Sequence, residues 1–254
     1  MRAALPEIVA NKRKEIEEKK RTGAVLSDNG IAGGDGSFYR ALQGAELKLI
    51  TEIKPSSPSA GVLRANVDVD QILASYNVYA AAISVLTDKQ YFGGSIELLS
   101  HVSANSPRPT LCKDFILDRL QVQEARRAGA QAVLLIVKIL EDPQLSELHA
   151  SIVDLGMTPV VEVQTVDELT RALAVSPTVL LINNRDLSTF EIDLATSERL
   201  LPLIPSDVIP ISASGIQTRS DIDRLLPVCT RFLVGSTLMQ SDDLDGKLRE
   251  LSGR

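Results

Sequence analysis

The sequence predicts an α/β fold, a single (β/α)8 TIM barrel with an N-terminal helical extension, and three observations carry that reading. Eight short apolar, β-rich runs recur along the chain, at 48–55, 81–88, 109–115, 132–138, 158–164, 178–185, 208–215 and 231–238. Helix-like patterns such as "ILDRLQVQEARRAG" and "VDELTRALAV" lie between them, and strands alternating with helices predict parallel βαβ units. A doubly wound sheet also satisfies that alternation, but eight regular units in a chain of 254 residues fit a closed barrel better. A chain of this length, 44% hydrophobic and 24% charged, buries a sizeable core. It divides into an N-terminal helical extension and loop over 1–45 and a barrel over 46–254, one domain overall.

Taken in order, residues 5–21 suit an amphipathic helix, with Leu5, Ile8, Val9 and Ile16 forming an apolar stripe among charges. The segment "SDNGIAGGDGSF" (27–38) predicts a Gly-rich loop, either a lid or a linker, and its composition favours the linker. The first strand runs into "ITEIKPSSPSAG". Alternate residues of a strand share a face, so Glu52 and Lys54 project together at its carboxyl end. The later strands end in Thr87-Asp88, Lys113-Asp114, Lys138, Glu162, Asn183-Asn184-Arg185, Ser212-Ser214-Gly215 and Gly235-Ser236-Thr237.

In barrels of this kind functional groups gather at the carboxyl ends of the strands, and phosphate often binds at the loops after strands 7 and 8. Charges abutting apolar strands are costly to desolvate unless paired or used. Lys54, Lys113 and Glu162 converging on one mouth would supply separate acid and base roles. Blander roles compete. Asp88 and Asp114 suit caps of the following helices, Lys138 suits a solvated rim, and Glu52 with Lys54 suits a structural ion pair. The Ser/Gly-rich ends "SASGI" and "LVGSTL" suit a phosphate cradle, because glycine lets backbone N–H groups approach an anion while hydroxyls add donors.

The formal net charge of −6 disfavours a nucleic-acid partner, whose phosphates need a concentrated basic surface. Cys112 and Cys229, without CxxC spacing, read as buried reduced thiols. His101 and His149 stand apart from cysteines and paired carboxylates, so no metal is expected. The first residues lack the apolar core of a signal peptide, and no apolar run is long enough to span a bilayer. The expectation is a soluble cytoplasmic protein, without membrane contact, that acts on a small phosphorylated molecule as a monomer or weak homo-oligomer.

In "EIKPSSPSAG", "AAISVLTDKQYFGGS", "LCKDFILDRLQVQEARRAGAQAVLLI", "VVEVQTVDEL", "INNRDLSTFEIDL", "SASGI" and "LVGSTLM" the chain resembles the indole-3-glycerol phosphate synthases of tryptophan biosynthesis, over about residues 5–250. The resemblance implies a carboxy-lyase without metal or cofactor. Its reaction would close the pyrrole ring of 1-(2-carboxyphenylamino)-1-deoxyribulose 5-phosphate, with loss of carbon dioxide and water. It implies Lys113 as general acid, Glu162 as base for dehydration, Lys54 as the grip on the substrate carboxylate, Glu52 as orienter of the lysines, and Asn183 as partner of a sugar hydroxyl. Phe92 and Phe115 would wall the anthranilate ring, Arg185 and Ser214 would contact substrate, and Ser57, Gly215, Gly235 and Ser236 would hold phosphate.

The chain departs from the family pattern at four places. The family's strand-7 motif Ser-Glu-Ser-Gly-Ile is here Ser212-Ala213-Ser214-Gly215-Ile216, so an active-site carboxylate is replaced by a methyl group. Loss of one such group costs about 10²–10³ in rate. Tyr79 and Leu181 stand where glycine is usual, and Gln164 where histidine is common. Two alternatives therefore stand beside the synthase: a paralogue acting on a related arylamino-sugar phosphate with reduced or redirected activity, and a non-catalytic phosphosugar-binding protein.

Overall fold

The computed structural model describes residues 5–22, 34–58, 61–63 and 68–254. Eight parallel strands close into a barrel: β1 (Lys48–Ile53), β2 (Ala80–Leu86), β3 (Thr110–Lys113), β4 (Ala132–Ile136), β5 (Thr158–Val163), β6 (Val179–Asn183), β7 (Ile209–Ala213) and β8 (Arg231–Val234). Each pairs with its neighbours in sequence, and β8 closes on β1 through Lys48–Arg231 to Thr51–Val234. All eight expected runs contain a strand, and helices lie between successive strands, as the alternation required. Most strands stop one to several residues before the apolar run does, because the last residues turn into the loops that form the mouth. Val137–Ile139 is a 3-10 turn after β4, and Ser236–Met239 is already helical after β8.

Strand alternation sorts the side chains into two cores. Leu49, Ile53, Ile83, Val85, Cys112, Val161, Val163, Leu180, Ile182 and Phe232 face outward and pack under the surrounding helices. Ile50, Ala82, Leu111, Ala132, Leu134, Val160, Leu181, Ile211 and Leu233 face inward and fill the barrel. Leu181, one of the positions where glycine was expected, is fully buried in that interior.

The extension occupies both ends of the barrel. Helix α1 (Leu5–Arg21) buries Leu5, Ile8 and Ile16, as its stripe predicts, with Val9 at the edge. Lys12 lies on the same face and is also buried. Helix α2 (Ser37–Leu42) puts Phe38 and Leu42 into the inner core. The Leu42 carbonyl accepts from Arg231 Nε at 3.0 Å, which seats α2 at the start of β8. The expected loop over 27–38 is therefore too long at its end, since Ser37 and Phe38 are helical. Phe38 is an anchor that the surrounding glycines obscured. Residues 27–33, and with them the choice between lid and linker, lie outside the described residues. Cys112 and Cys229 are both free and buried; for Cys112 burial chiefly pushes the thiol up to about 12. Among the described residues no helix is long and apolar enough to cross a membrane.

Candidate active site

Following each strand along its inward face shows why charges appear where they do. The inward face of β1 carries Ile50 and then Glu52; β3 carries Leu111 and then Lys113; β5 carries Val160 and then Glu162. On β6 Leu181 is followed by Asn183, and on β7 Ile211 by Ala213. The inward row thus changes from core to chemistry one step before the mouth, with Ala213 the apolar exception.

These residues line one cavity of about 640 Å³ at the carboxyl ends of the strands. Every site residue expected from the sequence is on its wall: Glu52, Lys54, Lys113, Glu162 and Asn183; Phe92, Phe115, Arg185 and Ser214; Ser57, Gly215, Gly235 and Ser236. Lys54 Nζ lies 2.8 Å from Glu52 Oε1, so the pair at the end of β1 is an ion pair that also faces the cavity. Burial pushes the Glu52 carboxyl up, but the ammonium groups of Lys54 and Lys113 outweigh it and hold it below the usual range. Glu52 therefore stays a carboxylate. Gly235 is required beside it, because a Cβ there would stand 2.2 Å from Glu52 Oε1.

Glu162 is 1% exposed. Its Oε1 accepts from Asn183 Nδ2 at 2.9 Å, and its Oε2 lies 3.7 Å from Lys113 Nζ. The amide fixes one oxygen and leaves the other, buried and without a hydrogen-bond partner, turned to the ammonium. Asn183 Oδ1 in turn accepts from the Arg185 backbone N–H at 3.1 Å, tying Glu162 to the next loop. Phe92 and Phe115 stand side by side, centroids 6.0 Å apart and tilted by 41°. After β7, Ser214 and Gly215 take left-handed backbone conformations with φ of 67° and 86°. A non-glycine residue held there stores strain of order 1–3 kcal/mol, and such strain clusters at binding sites.

The competing roles also find their places. Asp88 does cap a helix, accepting from Tyr91 N at 2.8 Å. Asp114 does not; Asp118 caps the helix that follows β3. Lys138 sits at the rim, 3.7 Å from Asp186 and 3.3 Å from Gln164 Oε1. Gln164, where histidine was expected, also donates through Nε2 to the Arg185 carbonyl.

The sequence reading missed three parts of this end of the barrel. Leu187, Phe190 and Ile192 add an apolar wall from the loop after β6, and Lys247 reaches the mouth from the helix Leu244–Ser252. The third is Lys12, 5% exposed, whose ammonium lies 2.9 Å from both Asp88 and Glu15 and 3.1 Å from Asp114. A lysine spaced four residues from both Ile8 and Ile16 was the available signal.

Comparisons with known proteins agree with the geometry. The family model for indole-3-glycerol phosphate synthase matches residues 5–251. An indole-3-glycerol phosphate synthase of Dehalococcoides mccartyi is 46% identical over 215 residues, 83% of each chain. The tryptophan biosynthesis protein TrpCF of Salmonella typhi is 41% identical over 252 residues, 99% of this chain and 56% of that protein. The chain spans about half the length of the TrpCF relatives it matches. Among solved structures, 3-hexulose-6-phosphate synthase of Salmonella typhimurium superposes with a TM-score of 0.65 over 82% of this chain and 97% of its own, at 15% identity. That likeness speaks for the barrel fold alone. With a family model covering nearly its whole length and a relative of 46% identity, the chain belongs to the indole-3-glycerol phosphate synthase family.

Proposed function

We propose that the chain closes the indole ring of 1-(2-carboxyphenylamino)-1-deoxyribulose 5-phosphate, releasing carbon dioxide, water and indole-3-glycerol phosphate. One observation carries this reading: Lys54, Lys113 and Glu162 open into a single cavity that also reaches Gly215, Gly235 and Ser236. The substrate has two anionic ends, and the cavity has an ammonium group for the carboxylate and a Ser/Gly cradle for the phosphate. Lys54 draws the carboxylate towards the ring-closing carbon, while Phe92 and Phe115 wall the aryl ring. Apolar walls weaken the hydration of the carboxylate and so favour its departure as carbon dioxide.

Lys113 donates a proton to the ketone oxygen as the ring closes and assists the leaving hydroxyl, and Glu162 takes the proton released in dehydration. The 3.7 Å gap between them suits this division, since a tighter pair would hold its proton between the two groups instead of delivering it to substrate. Asn183 keeps Glu162 in place and offers its amide to a sugar hydroxyl. Phosphate binding at Ser57, Gly215, Gly235 and Ser236 supplies remote binding energy for orienting the reacting end.

A second reading draws on Ala213. It is 3% exposed, lies on the cavity wall and pairs with Asn183 across the sheet, so no carboxylate reaches the reacting zone from β7. A related arylamino-sugar phosphate would then be the substrate. Indole fluorescence with the carboxyphenylamino substrate, for this chain and for Ala213→Glu, separates the readings. Turnover by the chain supports the synthase. Turnover in neither protein, with tight binding of a substrate analogue in both, leaves a phosphosugar-binding protein.

A further inference from the structure

Lys12 sits outside the cavity and has no part in the chemistry above, yet its two strand-end partners border three of the cavity's walls. Asp88 ends the loop from β2 and caps the short helix Lys89–Phe92, which closes on Phe92. Asp114 lies between Lys113 and Phe115. Its Oδ1 accepts from the Phe115 N–H at 2.7 Å, and its Oδ2 accepts from the Thr87 hydroxyl at 2.8 Å. One ammonium therefore grips both segments, at 2.9 Å on Asp88 and 3.1 Å on Asp114, and Glu15 of its own helix takes a third contact at 2.9 Å. Lys12 and Asp88 are buried and Asp114 nearly so, while Glu15 reaches solvent.

The helix that carries Lys12 is held independently along the same side. Lys19 pairs with Glu124 at 2.6 Å and Lys20 with Asp118 at 2.5 Å, while Leu5 and Ile8 share an apolar cluster with Phe115, against which Phe92 packs. A bar fixed at several points, with a buried cation between two strand ends, sets the separation of what those ends carry. Here these are the two aromatic rings and the Lys113 ammonium.

We infer that Lys12 is a positioning residue: through Asp88 and Asp114 it makes the N-terminal helix part of the aryl-binding wall and sets where Lys113 stands. The inference rests on the proposed reaction for its kinetic consequence but not for its structural one. An uncharged side chain at position 12 leaves two buried carboxylates facing each other without a cation, and the two segments move apart. Misplacement of reacting groups by about an ångström costs about 10²-fold.

The test compares the full chain with Lys12→Met in three measurements: hydrogen exchange of residues 5–21, turnover of the carboxyphenylamino substrate, and binding of anthranilate followed by its own fluorescence. Inhibition by inorganic phosphate serves as the control at the far end of the cavity. We expect faster exchange in the helix, a fall in kcat of about 10–100-fold, anthranilate binding about tenfold weaker, and phosphate inhibition unchanged within about twofold. Loosened exchange with kcat and anthranilate binding kept would overturn the inference and leave Lys12 a stability residue. Loss of phosphate inhibition in parallel would equally overturn it, since the damage would then be general. If the unaltered chain binds anthranilate but turns nothing over, the reaction is misassigned while the binding comparison still decides the role of Lys12. Should Lys12→Met fail to fold, Asp114→Asn, of the same volume, weakens the same grip from the strand side and carries the same expectations.

Discussion

Two groups of charges stand at adjacent strand ends and use the same chemistry to opposite purposes. Around Lys12, one buried ammonium meets three carboxylates at 2.9 to 3.1 Å. Around Lys113, one ammonium on the cavity wall faces a single carboxylate, Glu162, at 3.7 Å. In the first group burial pulls the lysine down, but Asp114 and Asp88 outweigh it and hold the ammonium in its charged form. Burial pushes the Asp114 carboxyl up, with Lys12 opposing. That group shares one ammonium among three carboxylates away from the cavity's reacting end. The second leaves a buried Glu162 oxygen without a hydrogen-bond partner and a lysine on the cavity wall, where a bound substrate can take one proton and return another. Charge alone does not mark an active site; a charged group left short of partners on a cavity wall does.

Removing the ammonium on each side tests the contrast most strongly. Lys113→Ala is expected to lower kcat by about 10²–10⁴-fold while phosphate inhibition is kept, as measured by indole fluorescence; a variant that loses affinity but keeps its rate would show the role misassigned. Lys12→Met is expected to destabilise the fold by about 3–5 kcal/mol, because it strands buried carboxylates, and denaturant unfolding reads this directly. A cost under about 1 kcal/mol would mean that the cluster relaxes into solvent. Ala213→Glu supplies a carboxylate to the open group and is expected to raise turnover of the carboxyphenylamino substrate by about 10²–10³-fold, if that is the native substrate. A smaller or negative effect would favour a redirected substrate.

The pH response of Glu52 sharpens the picture further. Its carboxyl is held below the ordinary range, so its stabilising contribution is complete above that range and fades as pH falls through the folded value. Thermal unfolding of wild type and Glu52→Gln should therefore differ at neutral pH and converge in acid. A difference that persists at the lowest pH would remove the ion pair as its source. The smallest effect belongs to Lys138→Ala, which breaks a solvated contact with Asp186 and should change stability by no more than about 1 kcal/mol and kcat by less than about twofold.

Much of this was legible from the residues in order. The β-rich runs located all eight strands because buried parallel strands are apolar throughout and helices separate them. The rule that such barrels work at their carboxyl ends then pointed to Lys54, Lys113 and Glu162, the family resemblance added roles for Glu52 and Asn183, and all five line the cavity. Phe190 and Ile192 were missed because they lie in a loop after β6, where no periodicity points inward. Phe38 was read as loop because the glycines before it outweighed one aromatic residue.

Local chemistry, then, was settled by the linear order of residues. Apolar alternation fixes which side of each strand faces in, and a polar residue two places beyond the last inward apolar one must stand at the mouth. What tertiary folding alone decided was which charges meet. Lys12 finds Asp88 and Asp114 from two different strand ends, whereas Lys113, next to Asp114 in the chain, turns instead to Glu162. Adjacent residues on a strand point to opposite faces, so neighbours in sequence are parted, and closure of the barrel chooses their partners.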